Sequence, residues 1–172
     1  MASHGIKALC LENWMIPDPL MGNLVMFSND GGMASSMSGH DWASTILEHN
    51  LAERVPNEIF QLFEVARGSM LYGYFFYPLY TLAFEQLTRV AEAAVSEKCK
   101  QIGICKSIKT FDKKLKYLQC NNVLSDVKKA QWDSLRKLRN IASHPDQPTI
   151  LPPGPIVGMV AITVGLINEL FT

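Results

Sequence analysis

One helical stripe, broken once by a proline, constrains this chain more than any other feature. From Asn57 to Gly103 the pattern is almost continuously helical. Ile59, Leu62, Phe63, Ala66, Met70 and Leu71 recur at steps of three and four, which puts them on one helical face. Asn57 is suited to cap a helix that starts at Glu58. Pro78 lacks an N–H and disfavours a helical Tyr77, so a break is expected there. A second helix is expected from about Leu79 to Lys100. Its buried side is Leu82, Ala83, Leu87, Val90, Ala91, Ala94 and Val95, and Gly103 ends it. Two long amphipathic helices joined by a short break make a hairpin, and a hairpin needs further helices to cover its apolar stripe.

The rest of the chain supplies them. Phe111, Leu115 and Leu118 share a face in a short helix over 110–119. Ser125 can cap a longer one, in which Val127, Ala130, Leu135, Leu138 and Ala142 form the apolar side and Pro145 is the stop. A proline-rich connector, 146–155, leads to a last helix at about 156–171. Its run 155–167 is apolar throughout but shorter than the ~20 residues that span a bilayer. It therefore reads as a buried bundle helix, with no membrane partner expected. No stretch alternates with period two. The expected fold class is all-α, an up-and-down bundle of four to five helices over 51–172. Residues 1–50 are expected to form an irregular, partly flexible N-terminal arm. Within it, 27–42 reads as loop, and 12–21, broken by two prolines, as an extended segment lying on the domain or on a partner.

Composition narrows the function classes. Sixteen Lys and Arg balance sixteen Asp and Glu, so no general nucleic-acid coat exists, and only a local basic patch can attract one. The four cysteines, Cys10, Cys99, Cys105 and Cys120, form no Cys-x-x-Cys pair. Free thiols in a reducing, cytoplasmic setting are the expectation. No basic region followed by an apolar run opens the chain, so no secretory signal is expected. His40 and His49, even with Asp41 and Glu48, match no metal-ligand spacing. No metal and no other cofactor is expected.

The chemistry concentrates in "LRKLRNIASHP", 135–145. Arg136, Asn140 and His144 lie four apart on one helical face, with Arg139 one step round. Histidine moves protons near neutral pH. Arginine is permanently cationic, and its planar fork matches phosphate oxygens. This set suits phosphodiester chemistry without a metal, since RNA brings its own nucleophile, the 2′-hydroxyl. Lys128, Lys129, Arg136 and Lys137 on the same helix are candidates to contact the RNA backbone. The same residues have an ordinary structural reading, because a helix C-terminus favours cations and Asn and His often end helices. Lys106, Lys109, Lys113, Lys114 and Lys116 likewise read as an RNA guide or as a solvated face. The aromatic run 69–84 reads as core or dimer interface.

Arg139-Asn140 and His144, near the end of a penultimate helix and before a final apolar helix, resemble the signature of the HEPN superfamily (higher eukaryotes and prokaryotes nucleotide-binding domain). The resemblance covers roughly 58–171. It implies a metal-independent endoribonuclease with Arg139 and His144 as catalytic residues and Asn140 in support. It also implies a homodimer whose two motifs face one cleft, and a toxin or antiviral-defence setting with a regulatory or antitoxin protein. Glu85 and Glu92 are candidates for a further polar residue from an earlier helix. Non-catalytic members of the family make a nucleotide- or protein-binding module the alternative.

Overall fold

The computed structural model describes residues 6–26, 35–105, 107–142 and 151–172, without the side chains of residues 23, 25, 26, 35 and 139–142. Six α-helices carry the fold: α1 (Gly39–Leu47), α2 (Asn57–Tyr72), α3 (Leu79–Gln101), α4 (Phe111–Cys120), α5 (Asp126–Ala142) and α6 (Pro153–Leu170). Before them come a 3-10 turn, Pro19–Asn23, and a two-residue antiparallel ladder pairing Val25 with Ser36 and Met26 with Ser35. The protein is an all-α bundle, as expected.

α3 is the central post. It packs against α2, α4, α5 and α6. Its small inward residues, Ala83, Ala91 and Ala94, are fully buried beside Leu87, Val90 and Val95. Small side chains on a central helix let neighbours approach on several sides at native packing density. α2 contributes Ile59, Phe63, Ala66 and Met70 to the same core. Fully burying each of the larger side chains is worth roughly 1.5–3 kcal/mol. Leu62 and Leu71 are only half-buried. Leu82, expected inside, is 56% exposed and stands on the outer side of α3.

The break between α2 and α3 spans residues 73–78, with Pro78 in the N-cap position of α3. Gly73 is there because of its neighbour: a Cβ on it would meet the Tyr80 ring at 2.5 Å. Tyr80 is fully buried, edge-on to both Trp42 and Tyr77. The aromatic run is thus core at Tyr80 and Phe84 and half-buried from Tyr74 to Tyr77, while Tyr72 is exposed.

Two helix ends use one solution. After α3, Ile104 N–H donates to Cys99 O and Gly103 N–H to Lys100 O, with Gly103 at φ 78°. After α4, Val123 N–H donates to Leu118 O and Asn122 N–H to Gln119 O, with Asn122 at φ 56°. Both are left-handed caps, built once on Gly and once on Asn.

The N-terminal region departs from the irregular arm expected over 1–50. α1 begins inside the stretch read as loop. Ser38 caps it, accepting from Asp41 N–H while Asp41 accepts from Ser38 N–H. This reciprocal box stabilises the first turn, and the Ser38 hydroxyl, donating to Asp41 Oδ2 at 2.6 Å, together with Ser38 N–H holds the Asp41 carboxyl below its usual range. Trp42 and Ile46 of α1 are buried in the common core. Ahead of it, buried Asp18 caps the 3-10 turn through Leu20 N–H and accepts from Tyr77 N–H at 2.9 Å, while its own N–H donates to Tyr74 O. Lys7 Nζ donates to Ile16 O and Phe75 O. Between these ties, Leu9, Leu11, Trp14, Met15 and Ile16 stay more than half exposed, Leu11 at 88%.

α6 buries Ile156, Val160, Thr163, Val164 and Ile167 against the bundle. Its exposed side is mainly small, with Gly154, Gly158, Ala161 and Gly165 beside Ile162. Among the described helices it is the one long and apolar enough to cross a membrane, with 44% of that window buried in the bundle. Asn168 ties its end down, accepting from Ala52 N–H at 2.8 Å and donating to Asn50 O. Arg67 donates to Asn50 Oδ1 and pairs with Glu64 at 2.6 Å.

Candidate functional site

α5 carries the motif, and its amphipathic register decides where each motif position falls. Trp132 and Leu135 are its buried residues, and Leu138 is half-buried. Trp132 was not among the apolar positions expected from the sequence. Val127 and Ala130 were, yet Val127 is 69% exposed and Ala130 is exposed too. The inward stripe is therefore rotated from the expected one. Position 136 lies to the side of that inward stripe.

The helix runs through Ala142, so Arg139 and Asn140 both lie on regular helical backbone. Their side chains, and the whole of His144 and Pro145, lie outside the described residues, as does Lys106. Leu135 packs beside Phe84, Leu87, Thr88 and Ala91 of α3. Position 139 is about 6 Å further along the axis, toward the end of the bundle where Leu151 N–H donates to Thr81 Oγ1. Glu85 and Glu92 on α3 are both partly buried. Glu92 is engaged rather than free.

The cations proposed to meet RNA divide unevenly. Lys129 pairs with Asp133 at 2.5 Å. Arg136 pairs with Asp133 at 3.2 Å and reaches Asp112 of α4 at 4.0 Å. Lys128 pairs with Glu169 of α6 at 2.5 Å. Lys137 is exposed and makes no ion pair among the described residues. Asp133 sits between two cations. Its partial burial pushes its pKa up, but the Lys129 and Arg136 hydrogen bonds and charges outweigh that and hold it below the usual carboxylate range. Asp112 is lowered by its hydrogen bond with Lys116, which is itself raised by that contact. The result is an alternating strip, Lys129–Asp133–Arg136–Asp112–Lys116, that fastens α5 to α4. Sequence reasoning counted the cations and missed their partners. The signal was present, because Lys129, Asp133 and Arg136 stand at i, i+4 and i+7.

Of the basic middle segment, Lys114 Nζ donates to Ser96 Oγ at 2.7 Å, Lys116 is paired, and Lys109 and Lys113 are exposed. His40 is exposed and Asp41 is used by the helix cap. Among the described residues no three His, Cys, Asp or Glu side chains gather closely enough to hold a metal ion. All four cysteines are free thiols. Burial pushes the Cys99 thiol up to about 11.

Comparison with protein-family models, with curated proteins and with solved structures finds no match for this chain.

Proposed function

We propose that this chain is a metal-independent endoribonuclease of HEPN type that acts as a homodimer in a reducing, cytoplasmic compartment. The observation that supports the reading is the Arg139-Asn140…His144 spacing in the sequence, with Arg139 and Asn140 on the backbone of the last turns of a long helix in an all-α bundle and an apolar final helix after them. In the proposed reaction His144 takes the proton of an RNA 2′-hydroxyl. The 2′-oxygen attacks the adjacent phosphorus, the 5′-oxygen leaves with a proton, and a 2′,3′-cyclic phosphate forms. Arg139 stabilises the charge that builds on the phosphate oxygens. Asn140 positions the reacting groups, and a second copy supplies its own motif across the cleft. Lys137 is the helix cation best placed to hold the RNA backbone, since Lys128, Lys129 and Arg136 are already paired. A toxin or defence role with a protein regulator is part of this reading.

That same pairing favours a second reading. A helix whose cations are mostly neutralised within the fold presents a weak field to RNA, which suits a non-catalytic module binding a nucleotide or a protein. Incubation of purified chain with mixed RNA in EDTA separates the two. The nuclease reading expects cleavage by the wild type and at least a ~100-fold loss in Arg139→Ala and His144→Ala. An intact RNA panel with folded, dimeric wild type sinks it and leaves the binding module.

A further inference from the structure

Lys128, Lys129 and Arg136 are spent on carboxylates, so a field that draws RNA toward the motif has to come from other cations. Among the described residues, the exposed Lys and Arg side chains that make no ion pair and no hydrogen bond are Arg54, Arg89, Lys109, Lys113 and Lys137. Arg54 belongs to the far end of the bundle: it stands beside Ala52, whose N–H donates to Asn168 near the end of α6. The others gather around the start of α4.

Phe111, the first residue of α4, lines one small space with Thr88 and Ala91 of α3 and Leu135 of α5. Three helices therefore meet at this level. Lys109 and Lys113 flank Phe111 along the chain. Arg89 follows Thr88 and stands two helical turns before Ser96, on the same face of α3. Ser96 Oγ accepts from Lys114 Nζ, so that face is the one turned toward α4. Lys137 comes one helical turn after Asp133, whose partner Arg136 reaches Asp112 of α4. Arg89, Lys113, Lys109 and Lys137 thus form an arc from α3, across the start of α4, to α5. Neighbouring carboxylates leave the arc charged. Asp112 is already shared by Lys116 and Arg136. Glu85 and Glu92 stand on either side of Arg89 along α3, and neither forms an ion pair with it.

We infer that this arc holds the phosphates of an RNA strand beside the motif, with Arg89 as its anchor on α3 and Lys137 as its anchor on α5. The placement rests on the ribonuclease reading, which supplies RNA as the polyanion. Arg139 and Asn140 follow Lys137 on the same helix, so a strand that leaves the motif toward α3 crosses the start of α4. Packed helix axes stand about 8–10 Å apart, and the arc therefore spans a few nucleotides. The planar Arg89 fork can take two oxygens of one phosphate, while the lysines act as point charges. Arg89 touches phosphates next to the one that is cut. It is a substrate-positioning residue, and its loss acts on KM and on the salt dependence of binding rather than on kcat.

The test is fluorescence anisotropy of a short fluorescein-labelled RNA with the full chain carrying His144→Ala, over a range of KCl concentrations. Cleavage of the same RNA by the chain that keeps His144 is followed alongside. The side chains changed are exposed, so the variants are expected to fold. Arg89→Gln and Lys137→Gln are each expected to weaken binding by about threefold to tenfold at low salt. Each should also flatten the plot of log affinity against log salt by about 0.7. Arg54→Gln is expected to change neither. In cleavage, Arg89→Gln is expected to raise KM with kcat within about twofold. Affinity and salt slope unchanged in Arg89→Gln overturn the arc while cleavage by the wild type leaves the ribonuclease reading standing. Equal weakening by Arg54→Gln overturns it as a diffuse charge effect, and equally tight binding of poly-glutamate overturns it in favour of an acidic protein partner. RNA that binds with the expected Arg89 dependence yet is never cut by the wild type supports the arc and sinks the ribonuclease reading.

Discussion

Trp42 and Trp132 are equally buried, yet they seal two ends of the bundle in different ways. Trp42 is held by a hydrogen bond to Met70 O and by the edge of Tyr80, whose own hydroxyl donates to Met21 Sδ. The contacts at that end are closed on themselves. Trp132 has one aromatic neighbour, Phe111, at 6.5 Å and a cavity beside it. Burial alone therefore does not mark a finished core. What separates the two ends is that the Trp42 indole is tied to a backbone carbonyl, whereas the Trp132 ring borders open space.

The comparison can be broken most forcefully at the sealed end. Gly73→Ala drives a methyl into the Tyr80 ring, and overpacking of this kind costs about 3 kcal/mol. Urea unfolding reads it as a lowered midpoint at unchanged slope. A loss under about 0.5 kcal/mol would mean that the Tyr80 cluster yields easily and is not sealed. The tryptophans themselves come next. Trp42→Phe removes volume and strands a buried carbonyl, for about 2 kcal/mol. Trp132→Phe removes no hydrogen bond and is expected to cost under about 1 kcal/mol. Equal losses in the same unfolding assay would erase the distinction. The smallest effect belongs to the strip that fastens α5 to α4. Asp133→Asn is expected to cost about 0.5–1 kcal/mol at neutral pH, since the pairs are partly solvated. The Asp133 and Asp112 pKa values are depressed on folding. Their stabilisation is therefore complete above the ordinary carboxylate range, near pH 4, and is lost as pH falls through the lowered values. The gap between wild type and Asp133→Asn should close on acidification below pH ~4. A gap that stays constant would show that the charge of Asp133 contributes nothing.

How much of this was legible in the sequence varies along the chain. The α2–α3 hairpin was readable because a long helix in contact with several neighbours shows a wide apolar stripe. Leu82 was misplaced because periodicity fixes a stripe's spacing better than its edges. α1 was hidden by the Gly, Ser and Met residues before it, although Ser38 and Asp41 form the two halves of a capping box that the sequence displays. On α5 the eye followed Val127 and Ala130, whereas the bulky Trp132 sets which face turns inward. Of the site, the motif's spacing was legible, and so was its place on the penultimate helix. The state of its cations was not, because Glu169 and Asp112 reach them from other helices, and such pairing exists only once the chain is folded.

Asp18 also joins distant parts of the chain. Two of its partners, Tyr74 O and Tyr77 N–H, both belong to the short break between α2 and α3. They stand 56 and 59 residues along the chain, a long loop to close before any contact rewards it. The N-terminal segment is thus a latch across the α2–α3 break, closed over a long stretch of chain. Trimming the chain before Pro17 would spare the latch. Trimming it past Leu24 would take Met21 from beneath Tyr80 and leave the sealed end ajar.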